Sequence, residues 1–129
     1  MGFCVLLSLA GGLLIGNILL KNLVARERPC WIDPAVQLLI ENPGDFSFPS
    51  GHTMASFEAA VSIFLYNRRW GAAALVLAAL IAFSRLYLFV HFPSDVLTGL
   101  VLGVVIALAV HKGVEWMVRQ KKEKNADAK

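Results

Sequence analysis

The chain has 129 residues, of which 57% are hydrophobic and only 16% are charged, and its formal net charge is +3. The mean hydropathy of +0.65 leaves too few polar residues to coat a soluble domain of this size. The small positive surplus is concentrated between Arg119 and Lys124, which does not indicate nucleic-acid binding and is typical of a cytoplasmic anchor. These properties exclude a soluble domain and favour an integral membrane protein.

The first predicted element is a membrane-spanning helix within residues 1–25. The run from Phe3 to Leu20 carries no charge, and at about 1.5 Å per residue it is long enough to cross about 30 Å of hydrocarbon. A signal peptide is the alternative, but the segment lacks a basic start and runs into Lys21 without a small-residue cleavage site. We therefore expect this helix to remain in the membrane.

A polar loop is predicted for residues 26–49, because four prolines interrupt this part of the chain. Within the loop, Asp33 and Pro34 have the form of a helix N-cap followed by a proline at the first helical position. We therefore expect a short interfacial helix from Ala35 to Glu41.

Three further helices are predicted after the loop, at residues 50–67, 70–90 and 94–112, and a basic cytoplasmic tail follows at 113–129. Ser50 is a suitable N-cap for the first of them, which is short for a bilayer. No segment has the alternating pattern of a strand. The prediction is an all-α helical bundle with four transmembrane helices in one domain.

Glycine pairs spaced four residues apart occur in two of the predicted helices. They are Gly12 with Gly16 and Gly99 with Gly103. Small residues at this spacing permit close helix approach in membranes, and we interpret both pairs as packing features.

The basic residues predict the orientation of the bundle. Arg68 and Arg69 lie between the second and third helices, and the basic tail follows the fourth, so the positive-inside rule places both in the cytoplasm. The loop at 26–49 is then extracytoplasmic. Its own basic residues count against this assignment unless a function such as phosphate binding holds them outside.

Cationic and imidazole side chains collect at the extracytoplasmic ends of these helices. His52 follows Ser50 and Gly51 at the start of a helix, where unpaired N–H groups form an anion site. Arg85 lies late in an apolar span, where a charge is costly and by default functional. Taken alone, Arg85 is equally consistent with snorkelling to the lipid headgroups.

His91 and Asp95 form a second candidate pair, because Pro93 turns the chain between them. A carboxylate at Asp95 can accept the proton of one imidazole nitrogen and leave the other free as a nucleophile. Together with Lys21 and Arg28, these groups could hold a phosphate, attack it and protonate its leaving group.

Three strings in this chain resemble the three-part signature of the type 2 phosphatidic acid phosphatase superfamily, which includes bacterial undecaprenyl-diphosphate phosphatases and vanadium haloperoxidases. They are Lys21-x6-Arg28-Pro29, Pro49-Ser50-Gly51-His52 and Ser84-Arg85-x5-His91-x3-Asp95. All three occur in the family's order and with its internal spacing, so the joint match is far more specific than any one string.

The resemblance implies a phosphate clamp made of protein groups alone, with no metal and no cofactor. Lys21, Arg28 and Arg85 would bind the phosphoryl oxygens. The Ser50 hydroxyl and the Gly51 amide would assist them.

The resemblance also implies covalent catalysis. His91 would attack phosphorus to give a phosphohistidine and would be oriented by Asp95. His52 would protonate the leaving group and then act as the base for water.

Membrane members of this family usually have six spans, and this chain begins at what would be the third. Either two helices are absent from this sequence, or the chain completes its bundle by associating with further copies of itself. The expected partner is a phospholipid or polyprenyl phosphate in the membrane, and no nucleic acid is expected.

Three function classes compete at this stage. The first is a lipid phosphatase acting on undecaprenyl diphosphate, phosphatidate or phosphatidylglycerophosphate at the outer leaflet of the cell membrane. The second is a non-catalytic lipid-phosphate binding or transport protein on the same scaffold, against which the full set of catalytic groups argues. The third is a vanadium haloperoxidase, which the membrane setting disfavours.

Overall fold

The computed structural model describes residues 1–127, and this part of the chain is helical with no strand. The N-terminal helix comprises α1 (Gly2–Gly12), a π-helical stretch (Leu13–Leu20) and α2 (Lys21–Val24). The remaining helices are α3 (Pro29–Ile32), α4 (Gly51–Tyr66), α5 (Arg68–Tyr87) and α6 (Pro93–Asp127). The predicted all-α class is confirmed.

Local signals explain where these helices start and stop. α2 ends at Ala25, whose left-handed backbone (φ 47°) turns the chain away from the helix axis. Asn67 caps α5 by accepting a hydrogen bond from the Trp70 N–H at 3.2 Å. Pro93 occupies the first turn of α6, where its missing N–H costs no helical hydrogen bond.

Three helical segments are long and apolar enough to cross a membrane: the N-terminal segment, α5 and α6. α4 has 16 residues and is shorter than a typical span. The distribution of side chains fits a lipid environment, because large apolar side chains point outward from the long helices while small polar ones are buried between them. Outward-facing examples are Leu6, Leu14, Leu77, Leu80, Leu97 and Val101.

α4 is the central helix and packs against α1, α5 and α6. Gly99 and Gly103 of α6 lie directly against the α4 backbone, where a Cβ would come within 2.6 Å of a carbonyl oxygen in each case. On the other side, Gly12 leaves room for the buried carboxyl group of Glu58. The glycine pairs therefore act as close-packing positions, as predicted.

The predicted helix from Ala35 to Glu41 is wrong. The short helix lies earlier, at α3, with Arg28 as its N-cap and Pro29 as its first residue. The Asp33 side chain instead accepts a hydrogen bond from the Ala35 N–H at 3.1 Å, which closes an Asx turn. The Asp33 carboxylate, which would cap a helix starting here, is thereby used in the turn. The residues after that turn are mostly exposed and have no core to pack on.

α6 is longer than predicted. The sequence places a helix at 94–112 and a separate basic tail at 113–129, whereas α6 continues through the basic residues to Asp127. Lys and Glu residues in this stretch are good helix formers, so the helix continues past the apolar segment. The last two residues of the predicted tail, 128–129, lie outside the described residues.

Candidate active site

The three sequence motifs converge on one cavity of about 330 Å³ at one end of the bundle. Six of the eight predicted site residues line it: Lys21, Arg28, Gly51, His52, Arg85 and His91. Further lining residues are Asn17, Pro43, Asp45, Ala55 and Val90. A cavity of this size accommodates a phosphate or diphosphate group together with the first atoms of its substituent.

Two of the three predicted clamp cations are held by one carboxylate from the loop. Asp45 accepts hydrogen bonds from Lys21 Nζ and from Arg28 Nη2. The Asp45 backbone carbonyl also accepts from Arg28 Nε at 2.7 Å. Partial burial alone would raise the pKa of Asp45, but Lys21 and Arg28 together hold it below its usual value. The carboxylate is therefore ionised and occupies the place of an anion between two cations.

Arg28 also determines which ring nitrogen of His91 carries the hydrogen. Its Nη1 donates to the Val90 carbonyl at 2.9 Å and lies 3.2 Å from His91 Nε2. Since a guanidinium can only donate, His91 Nε2 must be the accepting nitrogen and Nδ1 must carry the hydrogen. The ring nitrogen that keeps the electron pair is thus Nε2, which Arg28 contacts.

The His91 imidazole is neutral at physiological pH. Burial lowers the pKa of His91 to about 4, and the positive charge of Arg28 acts in the same direction, while Asp95 partly opposes them. An imidazole with this pKa keeps its electron pair at neutral pH and is available as a nucleophile.

Asp95 is fully buried and accepts several hydrogen bonds. Arg26 Nη1 donates to Oδ1 at 2.8 Å, and the Phe92 N–H donates to Oδ2 at 2.9 Å. His91 Nδ1 lies 3.7 Å from Oδ2, which is too long for a hydrogen bond. His91 and Asp95, which the sequence pairs, therefore lie at ion-pair distance without a direct hydrogen bond between them.

Ser47 fills the gap between these two residues. Its hydroxyl donates to Asp95 Oδ2 and lies 3.4 Å from His91 Nδ1. The Ser47 side chain is fully buried, and its backbone N–H donates to the Arg26 carbonyl at 2.8 Å.

The start of α4 presents backbone N–H groups to the cavity. Gly51 and His52 are its first two residues, and both line the cavity. The Ser50 N–H is already used, since it donates to the Asp95 carbonyl at 3.0 Å. A helix N-terminus of this kind attracts an anion through its unpaired N–H groups.

Ser50 does not reach the cavity, which departs from its predicted role. Its side chain is fully buried, and its hydroxyl is 2.9 Å from the Thr53 hydroxyl. The Ser50 carbonyl oxygen lies against Gly99 of α6. Gly51 and His52 are accordingly the residues of this motif that line the cavity.

Sequence reasoning missed Asp45, Ser47 and Asn17, and it saw Arg26 only as a loop charge. None of them belongs to the three motifs. Asp45, Ser47 and Arg26 owe their positions to contacts between distant parts of the chain, whereas Asn17 lies on the N-terminal helix and lines the cavity. In the described part of the chain, no group of three His, Cys, Asp or Glu side chains is placed to hold a metal ion.

Comparison with known proteins identifies the family. The family model of the PAP2 superfamily matches residues 2–119. The chain belongs to the PAP2 superfamily. The resemblance to type 2 phosphatidic acid phosphatases, seen in the three motifs, is thereby confirmed.

Individual relatives match about three quarters of the chain. The bacitracin transport permease protein BcrC of Bacillus licheniformis is 40% identical over 75% of this chain and 47% of its own length. An undecaprenyl-diphosphatase of Sulfolobus acidocaldarius is 32% identical over 79% of this chain and 50% of its own. The chain thus spans about half the length of these curated relatives.

A solved PAP2 structure confirms the architecture. The transmembrane PAP2-type phosphatidylglycerolphosphate phosphatase from Bacillus subtilis superposes with a TM-score of 0.75 and 31% identity, over 88% of this chain and 59% of that one. The chain is therefore a multi-pass membrane protein with a PAP2 helical bundle.

Proposed function

We propose that this chain is a membrane lipid phosphatase that hydrolyses a phosphomonoester or diphosphate head group through a phosphohistidine intermediate. One observation carries the proposal: a single cavity gathers three cations, a helix N-terminus and two imidazoles. Cations and backbone N–H groups bind a phosphoryl group, and a neutral imidazole supplies the nucleophile.

Substrate binding requires the phosphate to replace Asp45. Lys21 and Arg28 both contact the Asp45 carboxylate, which is 57% exposed at its side chain. A phosphate bears more charge and more acceptor oxygens than a carboxylate, so it competes for the same donors. When Arg28 turns towards the phosphate, it also leaves His91 Nε2 free to react.

In the first half-reaction, the electron pair of His91 Nε2 forms a bond to phosphorus while the bond from phosphorus to the leaving oxygen breaks. His52 gives its ring proton to that oxygen, so that the alcohol or phosphate leaves without added negative charge. The phosphorylated imidazole keeps its hydrogen on Nδ1 and carries a positive charge, which the buried Asp95 carboxylate stabilises.

In the second half-reaction, water attacks the phosphohistidine. His52, which has given up its proton to the leaving group, takes one proton from this water as the new bond to phosphorus forms and the bond to His91 breaks. Inorganic phosphate leaves, and both histidines return to their starting states. Lys21, Arg28 and Arg85 supply the positive charge for both steps, so no metal ion is required.

Two relatives support a lipid substrate. One is named as an undecaprenyl-diphosphatase and the other as a phosphatidylglycerolphosphate phosphatase. The outward-facing apolar helices support a cavity that lies beside the bilayer, where such lipids are found. We infer a polyprenyl or glycerolipid phosphate as the substrate class.

The test of this function is phosphate release from a panel of lipids. We expect the purified chain in vesicles to release phosphate from undecaprenyl diphosphate, phosphatidate or phosphatidylglycerophosphate, with unchanged rate in a chelator. Vanadate should inhibit competitively, because it takes the five-coordinate geometry of the phosphoryl transition state at His91.

Other outcomes of this panel would contradict the proposal. Lipid binding without phosphate release would indicate a binding or transport protein. Activity that is lost in chelator and restored by Mg²⁺ would indicate a different phosphatase chemistry. Halide oxidation in the presence of vanadate would indicate a haloperoxidase.

We further propose that the cavity faces the extracytoplasmic side. α4 runs from the cavity to Tyr66, and Arg68 and Arg69 begin the next helix at the opposite end. Tyr66 lines a shared surface with Arg119 and Lys122, so the basic part of α6 lies at this end too. Positive residues are retained in the cytoplasm, which leaves the cavity outside.

Thiol labelling of intact cells tests this orientation. The native Cys4 and Cys30 are both buried, so serine replaces them and a new cysteine is introduced at an exposed site. A membrane-impermeant maleimide should label a Leu39→Cys variant, because Leu39 lies in the loop and is 76% exposed. A Gln120→Cys variant in the basic part of α6 should react only after permeabilisation.

The reverse pattern, with Gln120→Cys labelled in intact cells and Leu39→Cys protected, would place the cavity in the cytoplasm. Labelling of both variants in permeabilised cells is the control that each thiol is reactive.

A further inference from the structure

The link between His91 and Asp95 depends on a third residue. His91 Nδ1 and Asp95 Oδ2 are 3.7 Å apart, beyond the range of a hydrogen bond. Asp95 is also restrained by other partners, since Arg26 Nη1 holds Oδ1 at 2.8 Å and the Phe92 N–H holds Oδ2 at 2.9 Å. The carboxylate is therefore held at ion-pair distance from the imidazole, without a direct hydrogen bond to it.

The geometry assigns Ser47 as the positioning residue that connects the His91 nucleophile to Asp95. This assignment rests on the proposed phosphohistidine chemistry. It adds to the three motifs a residue that lies outside all of them, in the loop before α4.

The direction of each hydrogen bond supports the link. Arg28 Nη1, at 3.2 Å, makes His91 Nε2 an acceptor and leaves the hydrogen on Nδ1. The Ser47 hydroxyl donates its single hydrogen to Asp95, so its oxygen lone pairs remain to accept from His91 Nδ1 at 3.4 Å. The donors thus run from His91 through the Ser47 hydroxyl to Asp95, and the Ser47 backbone makes a further hydrogen bond with His91.

The hydroxyl of Ser47 is itself held in place. The side chain is fully buried, which excludes water as a competing partner. Its backbone N–H donates to the Arg26 carbonyl at 2.8 Å, and the guanidinium of the same Arg26 binds Asp95. Arg26 therefore holds both Ser47 and Asp95 in place.

This arrangement has a chemical consequence. When His91 is phosphorylated, the imidazole becomes positively charged and its Nδ1 hydrogen becomes a stronger donor. Ser47 passes this interaction on to the negative charge of Asp95. Loss of the hydroxyl should slow the chemical step while leaving the phosphate clamp of Lys21 and Arg28 intact.

A double-mutant cycle in phosphate release tests the assignment. Ser47→Ala should lower kcat by about 10 to 100-fold, the range found when the partner of a functional imidazole is removed, and should leave KM nearly unchanged. In an Asp95→Asn background the same change should cost less than about twofold, because Ser47 acts through Asp95. Ser47→Thr, which keeps the hydroxyl, should retain more activity than Ser47→Ala.

The matched control is Ser62→Ala. Ser62 is also a buried serine, but its hydroxyl pairs with Ser8 at 3.2 Å, away from the cavity. This variant should keep the wild-type kcat. Ser47→Cys is tested in parallel, because its thiol fills the buried space but is only a weak hydrogen-bond donor. A folding defect of Ser47→Ala then does not decide the outcome.

Several results would overturn the assignment. Full activity of Ser47→Ala and Ser47→Cys would show that Asp95 reaches His91 without help. An equal loss in the wild-type and Asp95→Asn backgrounds would show that Ser47 does not act through Asp95. Failure of the proposed function is separately visible, because then wild-type and Ser62→Ala proteins would release no phosphate.

Discussion

Replacement of His91 by alanine is expected to abolish phosphate release while lipid binding persists. The variant loses the neutral imidazole that we propose as the nucleophile, and removal of a covalent nucleophile typically lowers kcat by on the order of 10⁴-fold or more. Lys21, Arg28 and Arg85 remain in the cavity, so the phosphate clamp is unaffected. Steady-state phosphate release and vesicle binding measure the two effects separately.

The pH dependence of the wild-type enzyme should report the same group. His91 has a pKa of about 4, and only its neutral form can attack, so kcat/KM should fall as the pH drops through this value. Protonation also opposes folding, because the pKa of His91 is lower in the folded state than the ordinary value of 6.5. Its contribution to stability is complete above about pH 6.5 and is lost as the pH falls towards 4.

His111→Ala is the matched control for this prediction. His111 lies near the opposite end of the bundle, where its ring packs against Tyr66, and it contacts Glu115 rather than the cavity. The variant should retain wild-type phosphate release. Substantial turnover by His91→Ala would rule out the covalent mechanism, and an equal loss in His111→Ala would mean that the assay reports folding.

The sequence predicts the helices well because uncharged apolar runs leave few alternatives. Three apolar runs are too long and too apolar for any structure but a membrane helix. They are the run from Phe3 to Leu20 and the runs that form α5 and α6. The six cavity residues were likewise predictable, since a motif records which residue types lie together at fixed spacing. Their convergence on one cavity follows from the antiparallel course of α4, α5 and α6.

The loop at 26–49 was the least predictable region, for a physical reason. Its residues have no hydrophobic periodicity, and local signals such as Asp33 followed by Pro34 are compatible with both a helix start and an Asx turn. Asp45 and Ser47 take their positions from Lys21 and Asp95, which lie 24 residues before and 48 residues after them respectively. Contacts at such separation leave no mark in a local pattern.

Ser50 illustrates the reverse error. The motif places it next to Gly51 and His52, which suggests a hydroxyl in the cavity. In the fold its carbonyl lies against Gly99 and its hydroxyl pairs with Thr53. Membership of a motif therefore indicates that a residue is near the site, but the packing of α4 on α6 decides whether its side chain enters it.

The contact between α4 and α6 leads to the second large effect: Gly99→Val should inactivate the enzyme although Gly99 does not line the cavity. A Cβ at Gly99 would lie 2.6 Å from the Ser50 carbonyl oxygen and 3.3 Å from Thr53 Cβ. The start of α4 must then move away from α6. That movement breaks the 3.0 Å hydrogen bond from the Ser50 N–H to the Asp95 carbonyl.

The displacement separates the two halves of the catalytic site, since His52 lies on α4 whereas Asp95 lies on α6 and His91 just before it. A misplacement of about 1 Å between reacting groups can cost about 100-fold in rate. Overpacking at a close helix contact also lowers the free energy of unfolding by about 1–3 kcal/mol. We therefore expect Gly99→Val to lower kcat by about 100-fold or more and to lower the Tm in detergent.

Gly113→Val provides the matched control on the same helix, because a Cβ at Gly113 has no heavy atom within 4 Å. This variant makes the same chemical change and should keep both kcat and Tm. If Gly99→Val retained wild-type activity, the close contact between α4 and α6 would not position the site. Equal losses of kcat in both variants would trace the defect to valine in this helix rather than to the contact with Ser50. Only a loss confined to Gly99→Val supports the role of that contact.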